Sequence, residues 1–256
     1  MPSAHDADTE TTPLFRRSSS PSPSTPENDS SDSMPSSPQP SYLKYLHDSS
    51  ILGFSAVLAQ VGLLLSHVVT WKILREKPAG LFTYHPLFQS LAVLVFVEGI
   101  VLLQPKPSNS TVKQTGQKLH QAFQGLASLL IIAGASFIIY NKAAHGAAHF
   151  TTWHAKIGLT TLCFVLLQAL FGAVAVFAPS LVGGPGKAKS LYKYHRMSGY
   201  IGFGLLLTTP VLALWSDWVV NNSSQAERNL IGVGYIMVTI AVVLRIETSK
   251  LGLKRR

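Results

Sequence analysis

Six long apolar stretches fill most of this 256-residue chain, at about 50–71, 82–104, 119–140, 153–177, 194–216 and 229–247. A helix needs about 20 apolar residues to cross about 30 Å of hydrocarbon, and each stretch supplies roughly that number. Open strands are excluded, because lipid cannot satisfy unpaired backbone groups. Helix breakers separate the stretches: Pro78 and Gly80, then Pro105 and Pro107, then Gly183, Gly184, Pro185 and Gly186, then Asn221 and Asn222. The expected fold class is therefore an all-α integral membrane protein with six transmembrane helices.

Composition agrees with that expectation. Only 13% of the residues are charged, against about 25% in a soluble domain. Residues 1–48 differ from the rest, being rich in Ser and Pro. Such a segment cannot bury enough apolar surface to offset its ordering entropy, so a disordered tail is expected. Residues 49–250 are read as one transmembrane domain and 251–256 as a short basic tail. No apolar run lies near Met1, so no cleaved signal peptide is expected and the first span serves as an anchor. Cys163 is the sole cysteine, which rules out an internal disulfide, a Cys-x-x-Cys-His haem attachment and a cysteine-rich metal site.

Lys and Arg in the loops set the orientation. One side collects Arg16, Arg17, Lys44, Lys106, Lys113, Lys118, Lys187, Lys189, Lys193, Lys250, Lys254, Arg255 and Arg256. The other collects Lys72, Arg75, Lys77, Lys142 and Arg228. The richer side is assigned to the cytosol, together with both termini. The basic residues lie in short loops between spans, so the formal charge of +9 points to membrane topology and not to nucleic acid.

Ionisable side chains inside spans are costly and therefore functional candidates. Four histidines, His85, His120, His154 and His195, fall near the N-terminal ends of four consecutive spans. Consecutive spans run in opposite directions, so these positions alternate between the membrane faces. His85 and His154 share one level, and His120 and His195 share the other. The result is two imidazole pairs, one above the other, in a four-helix bundle formed by the second to fifth spans. Bundle cores commonly build cofactor sites from facing helices. Zinc would ask for four ligands, whereas a b-type haem asks for two axial nitrogens. Two bis-histidine haems, roughly 15–20 Å apart, are the expectation. The competing reading is that these histidines snorkel at helix ends, as Lys and Arg do. Gly125, Gly158, Gly199 and Gly202 would let a porphyrin or a neighbouring helix approach. His5 and His47 lie in or beside the tail, His67 stands alone on the first span, and His145 and His149 have a spacing of four in a loop.

The ordered set Phe82–Pro86 (FTYHP), Glu98-Gly99, Lys118-Leu119-His120, Thr151–His154 (TTWH) with Gly158, and Tyr194-His195 with Gly199 resembles the cytochrome b561 family. These are transmembrane ascorbate-dependent reductases, and the likeness is to the small stand-alone six-helix branch, over about residues 50–250. The resemblance implies the same pairs as the spacing, His85 with His154 on the non-cytosolic side and His120 with His195 on the cytosolic side. It implies cytosolic ascorbate as donor, monodehydroascorbate or ferric iron as acceptor, an endomembrane or plasma-membrane location, and a homodimer. The longer basic run that chromaffin-granule members carry before the third helix is absent. Lys106, Lys113 and Lys118 stand there, so a related reductone is an alternative donor.

On that reading an anionic donor docks near Lys113, Lys118 and Lys193, although ordinary positive-inside charge accounts for the same residues. Tyr84, His149, Thr152, Trp153 and Lys156 surround the opposite site as candidates for the acceptor. Glu98 is a candidate for proton handling or for a structural bond to a neighbouring helix. A flavin-linked reductase would carry histidines 13–14 residues apart within one helix and a nucleotide-binding G-x-G-x-x-G, and this chain has neither. A non-redox transporter or scaffold is the alternative from another class.

Overall fold

A computed structural model describes residues 50–104, 107 and 109–246. The readings made for the 1–48 tail, for Lys106 and for the basic 251–256 segment lie outside these residues. Among the described residues the secondary structure is entirely helical. Seven α-helices run α1 Ser50–Glu76, α2 Tyr84–Val101, α3 Ser110–Ala144, α4 Trp153–Phe177, α5 Pro185–Ala213, α6 Asp217–Asn222 and α7 Gln225–Leu244, with 3₁₀ turns at Gly80–Thr83 and Pro179–Val182.

Five of these helices are long and apolar enough to cross a membrane: α1, the Gly80–Val101 segment ending in α2, α3, α4 and α7. The sixth long helix, α5, falls short because its first half carries Lys187, Lys189, Lys193, His195 and Arg196. Helices also begin earlier than the apolar runs. At α3 the Asn109 side chain accepts from Val112 N at 2.8 Å, starting the helix more than two turns before the run. Gly183 and Gly184 adopt φ of +89° and +94°, which side chains with a Cβ resist. Pro185 follows at the first helical position, where its missing N–H costs nothing. Ser224 and Glu227 form a reciprocal capping box that starts α7.

The long helices pack as three antiparallel pairs, α1 with α7, α2 with α3, and α4 with α5. In the α1/α7 pair, Gly62 and Gly234 face each other so closely that a Cβ on either would lie 2.5 Å from a carbonyl oxygen. Ser66 Oγ donates to the carbonyls of Gly62 and Ile231 in that seam. Polar contacts among the described residues tie helix α1 to α2. The ring nitrogens of buried His67 each lie 2.7 Å from a carbonyl oxygen, of Leu63 and of Ser90. Trp71 Nε1 donates to Ser90 Oγ. Gln60 Nε2 donates to Glu98 Oε1 at 2.7 Å, which is the bond to a neighbouring helix considered for Glu98. The α2/α3 and α4/α5 pairs then face each other and enclose the histidines.

Candidate functional site

Each of the four histidines reaches across its own antiparallel helix pair. His85 Nδ1, on α2, donates to the Gly134 carbonyl of α3 at 2.9 Å. His120 Nδ1, on α3, donates to the Gly99 carbonyl of α2 at 2.7 Å. His154 Nδ1, on α4, donates to the Thr209 carbonyl of α5 at 2.9 Å. His195, on α5, meets Gln168 of α4, whose amide donates to the His195 carbonyl while its Nε2 lies 3.2 Å from His195 Nδ1. Ser198 Oγ fixes the other end of that amide by donating to Gln168 Oε1 at 2.9 Å.

These four contacts follow one rule. The partners Gly99, Gly134, Gln168 and Thr209 each stand 14 residues after the histidine of their own helix. Fourteen residues span about 21 Å and return to within about 40° of the same face. Each helix thus presents an imidazole at one level and, on nearly the same stripe, a partner for the opposite imidazole at the other level. Two glutamines repeat the pattern one turn deeper. Gln89 Nε2 donates to the Ile131 carbonyl, and Gln124 Nε2 donates to the Phe96 carbonyl, both at 3.1 Å. In the α4/α5 pair, Thr161 Oγ1 instead meets the Leu205 carbonyl and Thr209 Oγ1.

The structure brings His85 and His154 together, with ring centroids 6.1 Å apart and planes at 72°. Two imidazoles bound to one metal at about 2.0 Å per nitrogen have centroids about 6 Å apart, so this interval accommodates a shared ion. Phe82 lies beside His85 and packs in turn against Trp218, with ring planes tilted by 50°. His120 and His195 line a cavity of about 660 Å³ between α2, α3, α4 and α5, within the range of small-molecule and cofactor sites. Its walls are largely apolar, with Phe96, Val165, Phe203 and Leu206 among them. Gly125 opens onto it, with space where a Cβ would sit. Gly199 and Gly202 line it too, and Gly202 also serves helix packing, because a Cβ there would lie 2.9 Å from the Phe164 ring. The donors therefore fit a flat macrocycle held through two facing imidazoles. With a bond to the backbone at Nδ1, an imidazole keeps its Nε2 lone pair free to bind a metal, the usual tautomer of ligating histidines.

Of the three lysines expected near the donor, Lys113 lines the cavity. Lys118 and Lys193 are not among the lining residues, and Lys193 Nζ instead sits over the Tyr194 ring at 4.7 Å. Residues two apart on a helix point about 200° away from each other, so a lysine two places before a cavity histidine faces elsewhere. Tyr192, Arg196 and Gln117 line the cavity and were not anticipated. The signal was spacing. Lys113 and Gln117 precede His120 by seven and three residues, and Tyr192 precedes His195 by three, all on the histidine's side of the helix.

At the other level Lys156 Nζ lies 5.2 Å from the Trp153 ring centroid, which joins two of the expected acceptor residues. Tyr84 stacks on Phe137 and His149 packs beside Phe150. His145 Nδ1 donates to the Asn141 carbonyl, and no cluster of three or more His, Cys, Asp or Glu gathers as a metal site among the described residues. His67 has both nitrogens against carbonyls, so it does not compete as a ligand.

A family model for eukaryotic cytochrome b561 matches residues 84–220, from α2 through most of α6. The chain is 29% identical to the transmembrane reductase CYB561D2 of Bos taurus, over 67% of this chain and 75% of that protein. It is 30% identical to the probable transmembrane reductase CYB561D1 of Mus musculus, over 64% of this chain and 72% of that one. It is 24% identical to the ascorbate-specific transmembrane electron transporter 2 of Zea mays, over 58% and 61%. The matched segment carries all four histidines and every helix that surrounds the cavity, and by that match the chain belongs to the eukaryotic cytochrome b561 family, a family that implies binding of haem b.

Proposed function

We propose that this protein is a six-span transmembrane reductase that carries single electrons from ascorbate, or a related reductone, in the cytosol to monodehydroascorbate or ferric iron on the other side. The observation that carries this reading is the pair of stacked histidine sites, His85/His154 and His120/His195, each assembled from facing helices. Each pair would hold one haem b through its two imidazoles. Haem b held in this way would supply reversible one-electron chemistry, favouring electron transfer over oxygen chemistry. The names of the bovine and maize relatives, reductase and ascorbate-specific electron transporter, agree with that assignment. The sixth span of this reading is α5, which lies along α4 from Gln168 and His195 at one end to His154 and Thr209 at the other.

The chain's own residues bind, orient and exclude water. The carbonyls of Gly134, Gly99 and Thr209 fix three rings by their Nδ1–H groups. The apolar wall of Phe96, Val165, Phe203 and Leu206 keeps water from the interior of the second site. Lys113 and Arg196, both lining that cavity, supply positive charge for an anionic donor. Trp153 and Lys156 mark the acceptor side, with His149 on the loop before them. With Lys and Arg enriched on the side of the His120/His195 site, that face and both termini are cytosolic.

The test is a reduced-minus-oxidised visible spectrum of the protein purified in detergent, with haem counted per chain. Two b-type haems per chain, reducible by ascorbate, are expected. A monodisperse preparation that takes up no haem would overturn the reading and leave a non-redox membrane transporter or scaffold.

A further inference from the structure

The proposal rests on the haem reading above and concerns Gln89 and Gln124, the second of which also lines the His120/His195 cavity. Gln89 and Gln124 occupy equivalent places in α2 and α3. Each stands four residues after a histidine, His85 or His120, and so one turn deeper on the same helix face. Each sends its amide N–H to a carbonyl of the facing helix at 3.1 Å, Ile131 for Gln89 and Phe96 for Gln124. Those carbonyls lie three residues before Gly134 and Gly99, whose carbonyls receive the His85 and His120 rings. Histidine and glutamine therefore grip two carbonyls, one turn apart, on the opposite helix.

Both carbonyls already belong to helical backbone, so the glutamine bond is an addition to the ladder and not its repair. The glycines admit it. A Cβ on Gly134 would lie 2.8 Å from Gln89 Nε2, and one on Gly99 would lie 2.6 Å from Gln124 Nε2. The same four-residue device thus appears at both levels, in mirror order on two antiparallel helices, with a glycine cleared for it each time. In the α4/α5 pair a different set does the corresponding work, with Thr161 bonding Leu205 and Gln168 bonding His195.

A single bond from Nδ1 leaves a ring free to swing about that bond as the two helices slide or roll. A second bond one turn away removes this freedom, because it fixes the axial offset and rotation of the helix that carries the acceptor. We propose that Gln89 and Gln124 are positioning residues, each holding the α2/α3 register at one level and thereby the orientation of one imidazole, Gln89 for His85 and Gln124 for His120. Neither is a ligand and neither reacts.

The test uses the full-length haem-loaded protein and two readouts other than turnover. One is the rate of haem loss to excess apomyoglobin, and the other is the low-spin electron paramagnetic resonance signal, which responds to the angle between axial imidazole planes. Gln124→Leu should speed haem loss from the His120/His195 level by about tenfold, the scale of lost second-shell bonds, and shift only that level's signal. Gln89→Leu should do the same at the His85/His154 level. Gln124→Met and Gln89→Met keep the length of the side chain but lack any N–H or O–H donor, and should follow the Leu variants; they also serve where a Leu variant fails to fold. Unchanged haem loss and signals in variants that load two haems would overturn the proposal. Equal effects at both levels from one variant would also overturn it, because general loosening predicts that. A wild-type protein without haem would instead defeat the underlying reading, so the two failures are distinguishable.

Discussion

The α2/α3 and α4/α5 pairs present their histidines at the same two levels but support them differently. In α2/α3 every acceptor is a backbone carbonyl, and both levels use the same His, Gln and Gly set. In α4/α5 one level rests on the Thr209 carbonyl and the Thr161/Thr209 hydroxyls, and the other on the Gln168 and Ser198 side chains. Both pairs rely on close approach at glycine, but toward different groups. In α2/α3 a Cβ on Gly99 or Gly134 would meet a glutamine amide, at 2.6 and 2.8 Å, whereas in α4/α5 a Cβ on Gly172 or Gly202 would meet the His195 or the Phe164 ring, each at 2.9 Å. The first pair thus repeats one hydrogen-bonded device, and the second combines close ring packing with a polar network.

The largest expected effect tests whether the pairs cooperate at all. His85→Ala or His154→Ala should empty one level and leave the other, taking haem content from about two to about one per chain; His120→Ala and His195→Ala should do the reverse. Loss of all haem from one substitution would show that the levels are not independent, and a count per chain decides it.

Glycine substitutions come next. Gly99→Ala and Gly134→Ala should each cost about 1–3 kcal/mol, as overpacking does, seen as a lower midpoint of thermal unfolding in detergent. Gly158→Ala in α4 places its Cβ 3.4 Å from Thr209 Cγ2, a nearly ordinary contact, and should cost under about 1 kcal/mol. Equal losses at Gly158 and at Gly99 or Gly134 would show that the cost does not follow the closeness of approach at each glycine.

The cavity mouth sharpens the comparison further. Lys113→Gln in α3 should raise KM for ascorbate about fivefold with kcat unchanged, the effect of losing about 1 kcal/mol from an exposed charge pair. Lys193→Gln in α5 should change KM by less than about twofold, since Lys193 sits over Tyr194 away from the cavity. Steady-state kinetics at fixed ionic strength separates them. The smallest effect is expected in the hydroxyl ladder. Thr161→Val should lower stability by about 0.6 kcal/mol, typical for interhelical bonds in membranes, and leave the haem spectrum unchanged.

Much of this was legible in the sequence. The apolar runs announced long helices, and alternation of helix direction paired His85 with His154 and His120 with His195. What stayed hidden is what depends on rotation about a helix axis. Lys118 and Lys193 are near the cavity histidines in sequence, yet two residues is half a turn and turns them away, whereas Lys113 at seven residues returns to the same side. The interval of 14 between each histidine and Gly99, Gly134, Gln168 or Thr209 was present as a number. It acquires meaning only when two antiparallel helices lie in register. Helix α5 illustrates the opposite limit: its basic first half lowers its hydropathy below that of the five apolar helices, while its contacts with α4 run from Gln168 and His195 to His154 and Thr209.

That interval of 14 residues has a consequence for the host membrane. Bilayers differ in thickness by several ångströms, and membrane proteins answer by tilting, by bending or by deforming the lipid. None of these responses alters the rise along a helix. The separation of the two histidine levels is set by covalent chain in four helices at once, so it should be the same in a thin bilayer and a thick one. A single inserted residue between His85 and Gly99 would do what lipid cannot. It would add about 1.5 Å and turn everything beyond it by about 100°, so no single rotation of α2 could serve both levels.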